Sequence, residues 1–164
     1  MPCPCQSLQP FADCCAPYLS GQRAPATPLA LMRSRFSAFV LANGDYLLAS
    51  WHPDTKGSLT TAELNEVAKS CEWLSLSIIF SRIEADGEHG VVEFKARYRE
   101  QGRVVLLHEQ SNFERVAGAW RYRDGVLNPP KIGANQPCPC TVNPNKAAAQ
   151  STKAKKYKQC CAKR

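Results

Sequence analysis

The chain has 164 residues, 44% of them hydrophobic, with nine cysteines and a formal net charge of +7. This hydrophobic fraction excludes wholesale disorder, and the longest apolar runs fall far short of the roughly 20 residues that a membrane-spanning helix needs. The length suits one domain with appendages or two small domains. The N-terminus shows no secretory signal, so we expect a cytoplasmic protein, where cysteines bind metal more often than they form disulfides.

The first predicted unit, residues 1–24, is a small cysteine module. Cys3-x-Cys5 is followed after eight residues by the adjacent pair Cys14-Cys15. Four thiolates can form a closed tetrahedral shell for Zn²⁺, which leaves no open position and indicates a structural site. Iron also accepts four thiolates, so the identity of the metal stays open. A segment this short buries too little apolar surface to fold without metal.

The second predicted unit, residues 25–130, begins with helical patterns. Apolar side chains at helical spacing predict an amphipathic helix that begins at Leu29 and ends at Asn43-Gly44. Asp45 is expected to cap a second, short helix that continues to Trp51, and residues 60–63 begin a third. The side chains expected to face inward are Met32, Phe36, Phe39 and Val40 in the first helix and Leu64, Val67 and Ala68 in the third.

The pattern then changes to a period of two, which is typical of strands. Hairpin turns are expected at Asp86-Gly87, Gln101-Gly102 and Ala117-Gly118. Helices followed by an antiparallel meander predict an α+β fold. The inward positions are Leu74, Leu76, Ile78 and Phe80; Val92, Phe94, Ala96 and Tyr98; and Val105, Leu107, Glu109, Ser111 and Phe113, with a last strand at Trp120-Arg121-Tyr122.

The third predicted unit, residues 131–164, repeats the cysteine pattern and carries the charge. Cys138-x-Cys140 is followed after nineteen residues by Cys160-Cys161. The unit has seven lysines, one arginine and no acidic residue, whereas residues 1–130 are close to neutral. Such a run is either a solubilising tail or a surface for an anionic partner such as RNA phosphates. The candidate anion-binding residues are Lys153, Lys155, Lys156, Lys158, Lys163 and Arg164.

Disulfides are the alternative explanation for the eight paired cysteines. Adjacent cysteines cannot bridge each other without strain, because an unstrained disulfide needs Cα atoms about 4.4–6.8 Å apart. Cross-pairing within a tetrad remains open but needs an oxidising compartment. Closing the second loop of nineteen residues instead of eight adds only about 0.8 kcal/mol, and residues 143–152 within it are expected to form a flexible surface loop. Zinc binding contributes about 10–16 kcal/mol, so the insertion does not abolish the site.

The cysteine segments resemble a known motif. Residues 137–140 with 155–161 resemble SEC-C, the small zinc module at the C-terminus of the SecA translocation ATPase, and residues 3–7 with Cys14-Cys15 look like the same motif. Two such motifs around a middle domain resemble the YchJ-like family of bacterial proteins over nearly the whole chain. SEC-C usually has Gly-Ser after its second cysteine, where this chain has Gln6-Ser7 and Thr141-Val142. Family-like stretches in the middle domain are Leu31–Phe39, Asp45–Leu48 and Trp51–Pro53.

This resemblance implies that the middle domain is an NTF2-like cone, in which a curved antiparallel sheet wraps around helices and encloses a pocket. Glu109 shares the parity of the inward residues on its strand, and a carboxylate that faces a core needs a partner or a raised pKa. Arg35 and His52 are the expected partners, with Trp51 and Tyr98 as further candidate pocket residues. A buried structural pair or a strand edge is the alternative to a functional pocket.

Three functions are compatible with these patterns. The first is a non-enzymatic zinc-binding adaptor, which docks on a ribosome-linked or secretion-linked partner, RNA or protein, as the SEC-C resemblance implies. The second is a binder of small ligands, or an enzyme, that uses the pocket near Glu109. The third is a metal or thiol redox sensor. The ninth cysteine, Cys71, is expected to be a buried apolar filler, and a homodimer is also compatible with an NTF2-like sheet.

Overall fold

A computed structural model describes residues 1–140 and 155–163, which form one helical layer, one sheet and two cysteine modules. Short 3₁₀ turns at Phe11–Asp13, Tyr157–Gln159 and Cys161–Lys163 belong to the cysteine modules. In the described residues, no helix has the length and apolarity needed to cross a membrane. The helices are α1 (Ala16–Leu19), α2 (Pro28–Val40), α3 (Gly44–Ala49) and α4 (Thr61–Ser70), and the strands are β1 (Glu72–Ile83), β2 (His89–Glu100), β3 (Arg103–Val116) and β4 (Ala119–Leu127).

Helix α2 is the central helix, and its sequence explains both of its ends. The Thr27 hydroxyl accepts a hydrogen bond from the backbone N–H of Ala30, with Pro28 in the first turn. The helix ends at Val40, earlier than predicted, and Ala42 then takes a left-handed conformation with φ of 51°. Met32 and Phe36 are buried as predicted, but Val40 is 39% exposed because it lies in the last turn, beyond the core.

The predicted cap of the next helix was wrong by two residues. Asn43 caps α3, because its side-chain oxygen accepts a hydrogen bond from the backbone N–H of Tyr46. Asp45 instead lies in the first turn, where its carboxylate accepts a hydrogen bond from the Thr61 hydroxyl on α4. The Asn-Gly pair therefore begins the second helix rather than ending the first. Helix α3 also ends at Ala49, two residues before the predicted end at Trp51.

Helix α4 begins at the predicted residues, and its first turn is a capping box. The Thr60 hydroxyl accepts from the backbone N–H of Glu63, and the Glu63 carboxylate accepts from the backbone N–H of Thr60. Leu64 and Ala68 are buried as predicted. Val67 is 52% exposed, so its predicted inward orientation was wrong. It lies on the side of the helix that faces solvent.

The four strands pair in the order β1-β2-β3-β4 as an antiparallel meander. The predicted turns at Gln101-Gly102 and Ala117-Gly118 connect β2 to β3 and β3 to β4, and all four turn residues have positive φ, as two-residue hairpin turns require. Residues 84–88, which include the predicted turn at Asp86-Gly87, connect β1 to β2. Helix α2 packs against β1, β2 and β4. The core between helix and sheet consists of Leu31, Met32, Phe36, Leu76, Val92, Phe94, Ala96, Phe113 and Trp120.

A bulge in β1 overturns part of the predicted alternation. Ile78 pairs with Phe94, but Phe80 pairs with Glu93, so one extra residue, Ile79, is inserted between the two pairs. The insertion reverses the parity of the strand. Leu76 faces the helices, whereas Phe80 lies in a separate cluster on the other face of the sheet.

The capping box offers a direct test of the helical layer. Thr60→Ala removes the hydroxyl that satisfies a backbone N–H, and we expect the free energy of unfolding to fall by about 1 kcal/mol. Chemical denaturation followed by circular dichroism measures this change. Ser58→Ala, at an exposed position in the preceding loop, is the matched control and should leave the midpoint unchanged. Equal stability of both variants would contradict the role of the cap.

Candidate functional site

The four N-terminal cysteines form one cluster. The sulfur atoms of Cys3, Cys5, Cys14 and Cys15 all lie within 4.8 Å of one another, and three of the four residues are buried. The Cys5–Cys14 sulfur distance is 3.6 Å and the Cys14–Cys15 distance is 3.8 Å. Both are far longer than a disulfide bond of about 2.05 Å. They match the edge of a tetrahedron whose centre lies about 2.3 Å from each corner, roughly 3.8 Å, so this donor set fits a tetrahedral metal ion.

Local backbone structure gathers these sulfurs. A bridge between Pro2 and Pro10 closes the first loop, and a 3₁₀ turn at Phe11–Asp13 delivers the adjacent pair Cys14-Cys15. Two hydroxyls lie next to the shell. The Ser7 hydroxyl oxygen is 3.1 Å from the Cys14 sulfur, and the Ser37 hydroxyl oxygen on α2 is 3.7 Å from the Cys3 sulfur. Such outer contacts orient the ligands of a metal site.

The C-terminal cysteines form an equivalent cluster. The sulfur atoms of Cys138, Cys140, Cys160 and Cys161 also lie within 4.8 Å of one another. The sulfur of Cys140 is 3.4 Å from that of Cys138 and 3.5 Å from that of Cys160. The chain therefore contains two clusters that could each bind a metal ion, and both leave all four thiols unbridged.

The thiols in each cluster differ in acidity. A hydrogen bond with the Cys15 thiol lowers the pKa of Cys5 to about 4, and the same contact raises the pKa of Cys15. Burial raises the pKa of the Cys138 thiol, but the backbone N–H groups of Cys140 and Cys161 outweigh it, and the resulting pKa is about 7. The lowered pKa values favour a thiolate at Cys5 and at Cys138, and binding of a metal ion by four thiolates releases protons from each cluster.

Gln6, which occupies the position of the usual SEC-C glycine, connects the N-terminal module to the sheet. Its amide nitrogen donates to the carbonyl of Leu74 at 2.8 Å, and its amide oxygen accepts from the backbone N–H of Leu76 at 3.3 Å. Because β1 is an edge strand, these bonds satisfy backbone groups that no neighbouring strand reaches. Arg33 on α2 adds a third bond, to the carbonyl of Cys5 at 2.9 Å.

The C-terminal module lies on the opposite face of the sheet from the helices. Cys138 and Cys161 pack against Phe80 and Val91, and Tyr157 borders the same cluster. The bulge in β1 creates this contact, since it turns Phe80 outward. Of the predicted anion-binding residues, Lys155, Lys156, Lys158 and Lys163 are exposed. Lys153, Arg164, Thr141-Val142 and the predicted loop at 143–152 lie outside the described residues.

A cavity of about 190 Å³ lies between the helices and the sheet. It contains three of the predicted pocket residues, Arg35, Trp51 and Glu109. Two further polar residues line it, Ser111 and Tyr122, and their hydroxyls both donate to the Glu109 carboxylate at 2.9 Å. The sequence indicates the position of Ser111, because it lies two residues from Glu109 on the same strand and therefore on the same face. Tyr122 lies on the next strand, so only the strand pairing identifies it.

The other two predicted pocket residues do not line this cavity. The Nδ1 of His52 accepts from the backbone N–H of Asp54, and its Nε2 faces Glu114 and Arg123. The expected His52–Glu109 contact was therefore wrong, because the chain after α3 turns His52 away from the cavity. Tyr98 packs against Trp73 at a ring-centroid distance of 5.2 Å but lies outside the lining.

The ninth cysteine differs from expectation. Cys71 caps the C-terminal end of α4 and is only partly buried, with its sulfur 3.9 Å from a Glu100 carboxylate oxygen. The prediction that Cys71 is a buried apolar filler was therefore wrong, because the residue lies at a partly exposed end of a helix.

Comparison with known proteins identifies the family. The family model described as "YchJ, middle NTF2-like domain" matches residues 27–125. A UPF0225 protein of Sodalis glossinidius is 40% identical over 98% of this chain and 97% of its own length. The chain belongs to the YchJ-like UPF0225 family.

Solved structures of relatives agree with this assignment. A SEC-C motif containing protein from Rhodopseudomonas palustris is 33% identical with a TM-score of 0.71, over 77% of this chain and 98% of that one. A sec-c motif containing protein from Psychrobacter arcticus is 26% identical with a TM-score of 0.68, over 99% of this chain and 96% of that one. The predicted α+β fold, an NTF2-like domain with SEC-C cysteine clusters at both ends, is thereby confirmed.

The cysteine clusters of this YchJ-like protein predict a metal stoichiometry. Full-length protein purified without chelator should contain two metal equivalents by mass spectrometry. The double variant Cys5→Ala/Cys14→Ala and the double variant Cys138→Ala/Cys160→Ala should each retain one, because each removes two ligands from one shell. Cys71→Ala is the control and should retain both. Loss of metal from Cys71→Ala, or its retention in either double variant, would contradict the assignment of the ligands.

Proposed function

We propose that this protein is a zinc-binding, non-enzymatic adaptor whose basic C-terminal module docks on RNA. The observation that carries the metal part is the arrangement of two closed four-thiol shells, each seated on the NTF2-like domain. A shell of four thiolates has no open position for a substrate, so each metal ion has a structural role. Soft thiolate donors in a tetrahedral set favour zinc among the abundant divalent ions, with iron as the competitor.

The metal identity can be measured separately from its stoichiometry. X-ray absorption at the zinc edge should give four sulfur neighbours at about 2.3 Å in the native protein. Both sites should keep zinc in dilute peroxide, because five of the eight ligand residues are buried. An iron edge in place of the zinc edge would overturn the assignment of zinc. Rapid zinc release by peroxide would instead favour a thiol sensor.

The docking part rests on the distribution of exposed positive charge. Lys131, Lys155, Lys156, Lys158 and Lys163 are all exposed on the C-terminal module. Residues 131–164 contain no acidic residue, so no carboxylate within the module neutralises these lysines. A zinc ion with four thiolates adds a charge of about −2, which leaves the module strongly basic.

The positive surface extends from the module onto the sheet. Val91, under the module, shares its side of β2 with Glu93, Lys95 and Arg97, since side chains alternate along a strand. Glu93 is buried and bonded to His108 at 2.8 Å, so its charge is not displayed. Lys95 and Arg97 are exposed. Together with the five lysines of the module they form a basic surface that fits the spaced phosphates of a nucleic acid.

The SEC-C resemblance supports the choice of RNA over a protein as the partner that this surface meets. The SEC-C resemblance implies a ribosome-linked or secretion-linked role. In a ribosome-linked role, ribosomal RNA is the anionic polymer that the protein would meet. Lysine contacts with phosphates need no particular base sequence. This fits the described residues of the module, in which the aromatic ring of Tyr157 is half-buried and no exposed aromatic side chain is available to stack on a base.

Salt dependence tests RNA docking. Binding to a fluorescent single-stranded RNA of about 12 nucleotides should weaken steeply with salt, with a log–log slope of about −3.5 if five lysines contact phosphates. The double variant Lys156→Glu/Lys158→Glu should bind at least about tenfold more weakly and should lose co-sedimentation with ribosomes.

The matched control places the same charge change elsewhere. Lys69→Glu/Arg103→Glu alters two exposed cations on α4 and at the start of β3, away from the basic surface, and should bind RNA almost as the native protein does. An equal loss of RNA affinity in both double variants would show a response to net charge alone and would contradict docking through the basic surface. Ribosome binding that is insensitive to salt would overturn RNA docking and indicate a protein groove.

A further inference from the structure

The central cavity is an aromatic chamber with an unusual supply of hydrogen-bond donors. Its volume is about 190 Å³, compared with about 150 Å³ for an apolar cavity that accommodates benzene. One ring with a short polar substituent fills such a space. Aromatic walls favour an aromatic occupant through stacked and edge-on contacts. The rings that line the cavity are Phe36, Phe39, Trp51, Trp73, Phe94 and Tyr122.

Two indole N–H groups in these walls have no acceptor. Trp51 Nε1 and Trp73 Nε1 are buried and make no hydrogen bond to any described residue. The third tryptophan differs, since Trp120 Nε1 donates to the carbonyl of Ala26 at 3.2 Å. Buried donors are nearly always satisfied in folded proteins, and an unsatisfied one calls for a partner. Both tryptophan side chains line this cavity, so an acceptor that enters it from outside the chain would meet both.

Arg35 adds a buried positive charge to the same cavity. Its Nη1 donates to the carbonyl of Leu47 and to the Ser50 hydroxyl, and its guanidinium lies 5.1 Å from the ring centre of Trp51 and 4.7 Å from that of Tyr122. Within the described residues, no carboxylate oxygen comes within 4.0 Å of its nitrogens. Burial lowers the pKa of Arg35 to about 10, which still leaves it charged at neutral pH. A buried cation of this kind favours an anionic partner.

Glu109 places a carboxylate in the same cavity. Its carboxylate is held by the hydroxyls of Ser111 and Tyr122. Gly125 on β4 leaves room for it, because a Cβ at that position would overlap the carboxylate. A carboxylate held in this way repels a second anion, so a bound anion would lie away from the hydroxyls of Ser111 and Tyr122.

We propose that this cavity binds a small aromatic carboxylate of a single ring. The carboxylate oxygens accept from Arg35, Trp51 and Trp73, and the ring packs among the aromatic walls. The cavity shares no lining residue with the cysteine clusters or with the basic surface, so the proposal stands or fails separately from RNA docking.

Benzoate and benzamide are the probes, because they share a shape and differ in charge. Full-length, metal-loaded protein is titrated with each, followed by tryptophan fluorescence and calorimetry. Benzoate should saturate one site with Kd of about 1 mM or tighter, and benzamide should bind at least about tenfold more weakly. Equal binding of both probes, or no saturable signal from benzoate, would overturn the proposal.

Three variants separate binding from folding. Trp51→Phe and Trp73→Phe keep a ring but remove the N–H, and each should weaken benzoate severalfold without lowering the thermal midpoint, since an unsatisfied donor is removed. Glu109→Gln keeps an acceptor for Ser111 and Tyr122 but removes the repelling charge, so it should tighten benzoate binding. Arg35→Met should abolish the preference for benzoate if it folds. Unchanged affinity in both tryptophan variants, or weaker binding in Glu109→Gln, would contradict the proposed mode.

Discussion

The alternation of side chains across a single four-stranded sheet is the constraint on which both functional regions depend. On β3, Leu107, Glu109 and Ser111 face the helices and line the cavity, while the residues between them face outward. A shift of one residue in register would exchange the two faces completely. Two such shifts are built into β1, and the second, the bulge at Ile79, turns Phe80 outward. Because of that single inserted residue, the Phe80 side chain packs against Cys138 and Cys161.

Much of this arrangement follows from short-range patterns in the sequence. The cysteine spacing predicts both clusters because the ligands of each pair are close along the chain, and the parity of β3 predicts that Glu109 faces inward. The bulge leaves only a weak trace, since Leu74, Leu76, Ile78 and Phe80 keep a period of two and the interruption is a single further apolar residue, Ile79. The orientation of His52 depends on how the chain leaves α3, which no local pattern encodes. Asn43-Gly44 was misread because the same dipeptide can end one helix or begin the next.

The two proposed anion-binding regions differ in physical character. The lysines of the C-terminal module are exposed and mobile in water, so their attraction is long-ranged, weak per contact and screened by salt. Arg35 is a single charge removed from water and enclosed by rings. Its interactions are short-ranged and depend on shape as much as on charge. A polymer of phosphates suits the first surface, and a compact anion with an apolar body suits the second.

The N-terminal module contacts the elements that form the cavity walls. Through Gln6 it holds the edge of β1 beside Trp73, and through Arg33 and Ser37 it contacts the helix that carries Arg35. Each of these bonds begins at, or next to, a cysteine of the cluster, so their geometry depends on the loop that the four sulfurs close. The order of the thiol cluster is therefore transmitted to two walls of the cavity through main-chain and side-chain hydrogen bonds. The N-terminal thiol cluster in this way contributes to the shape of a cavity in the middle domain.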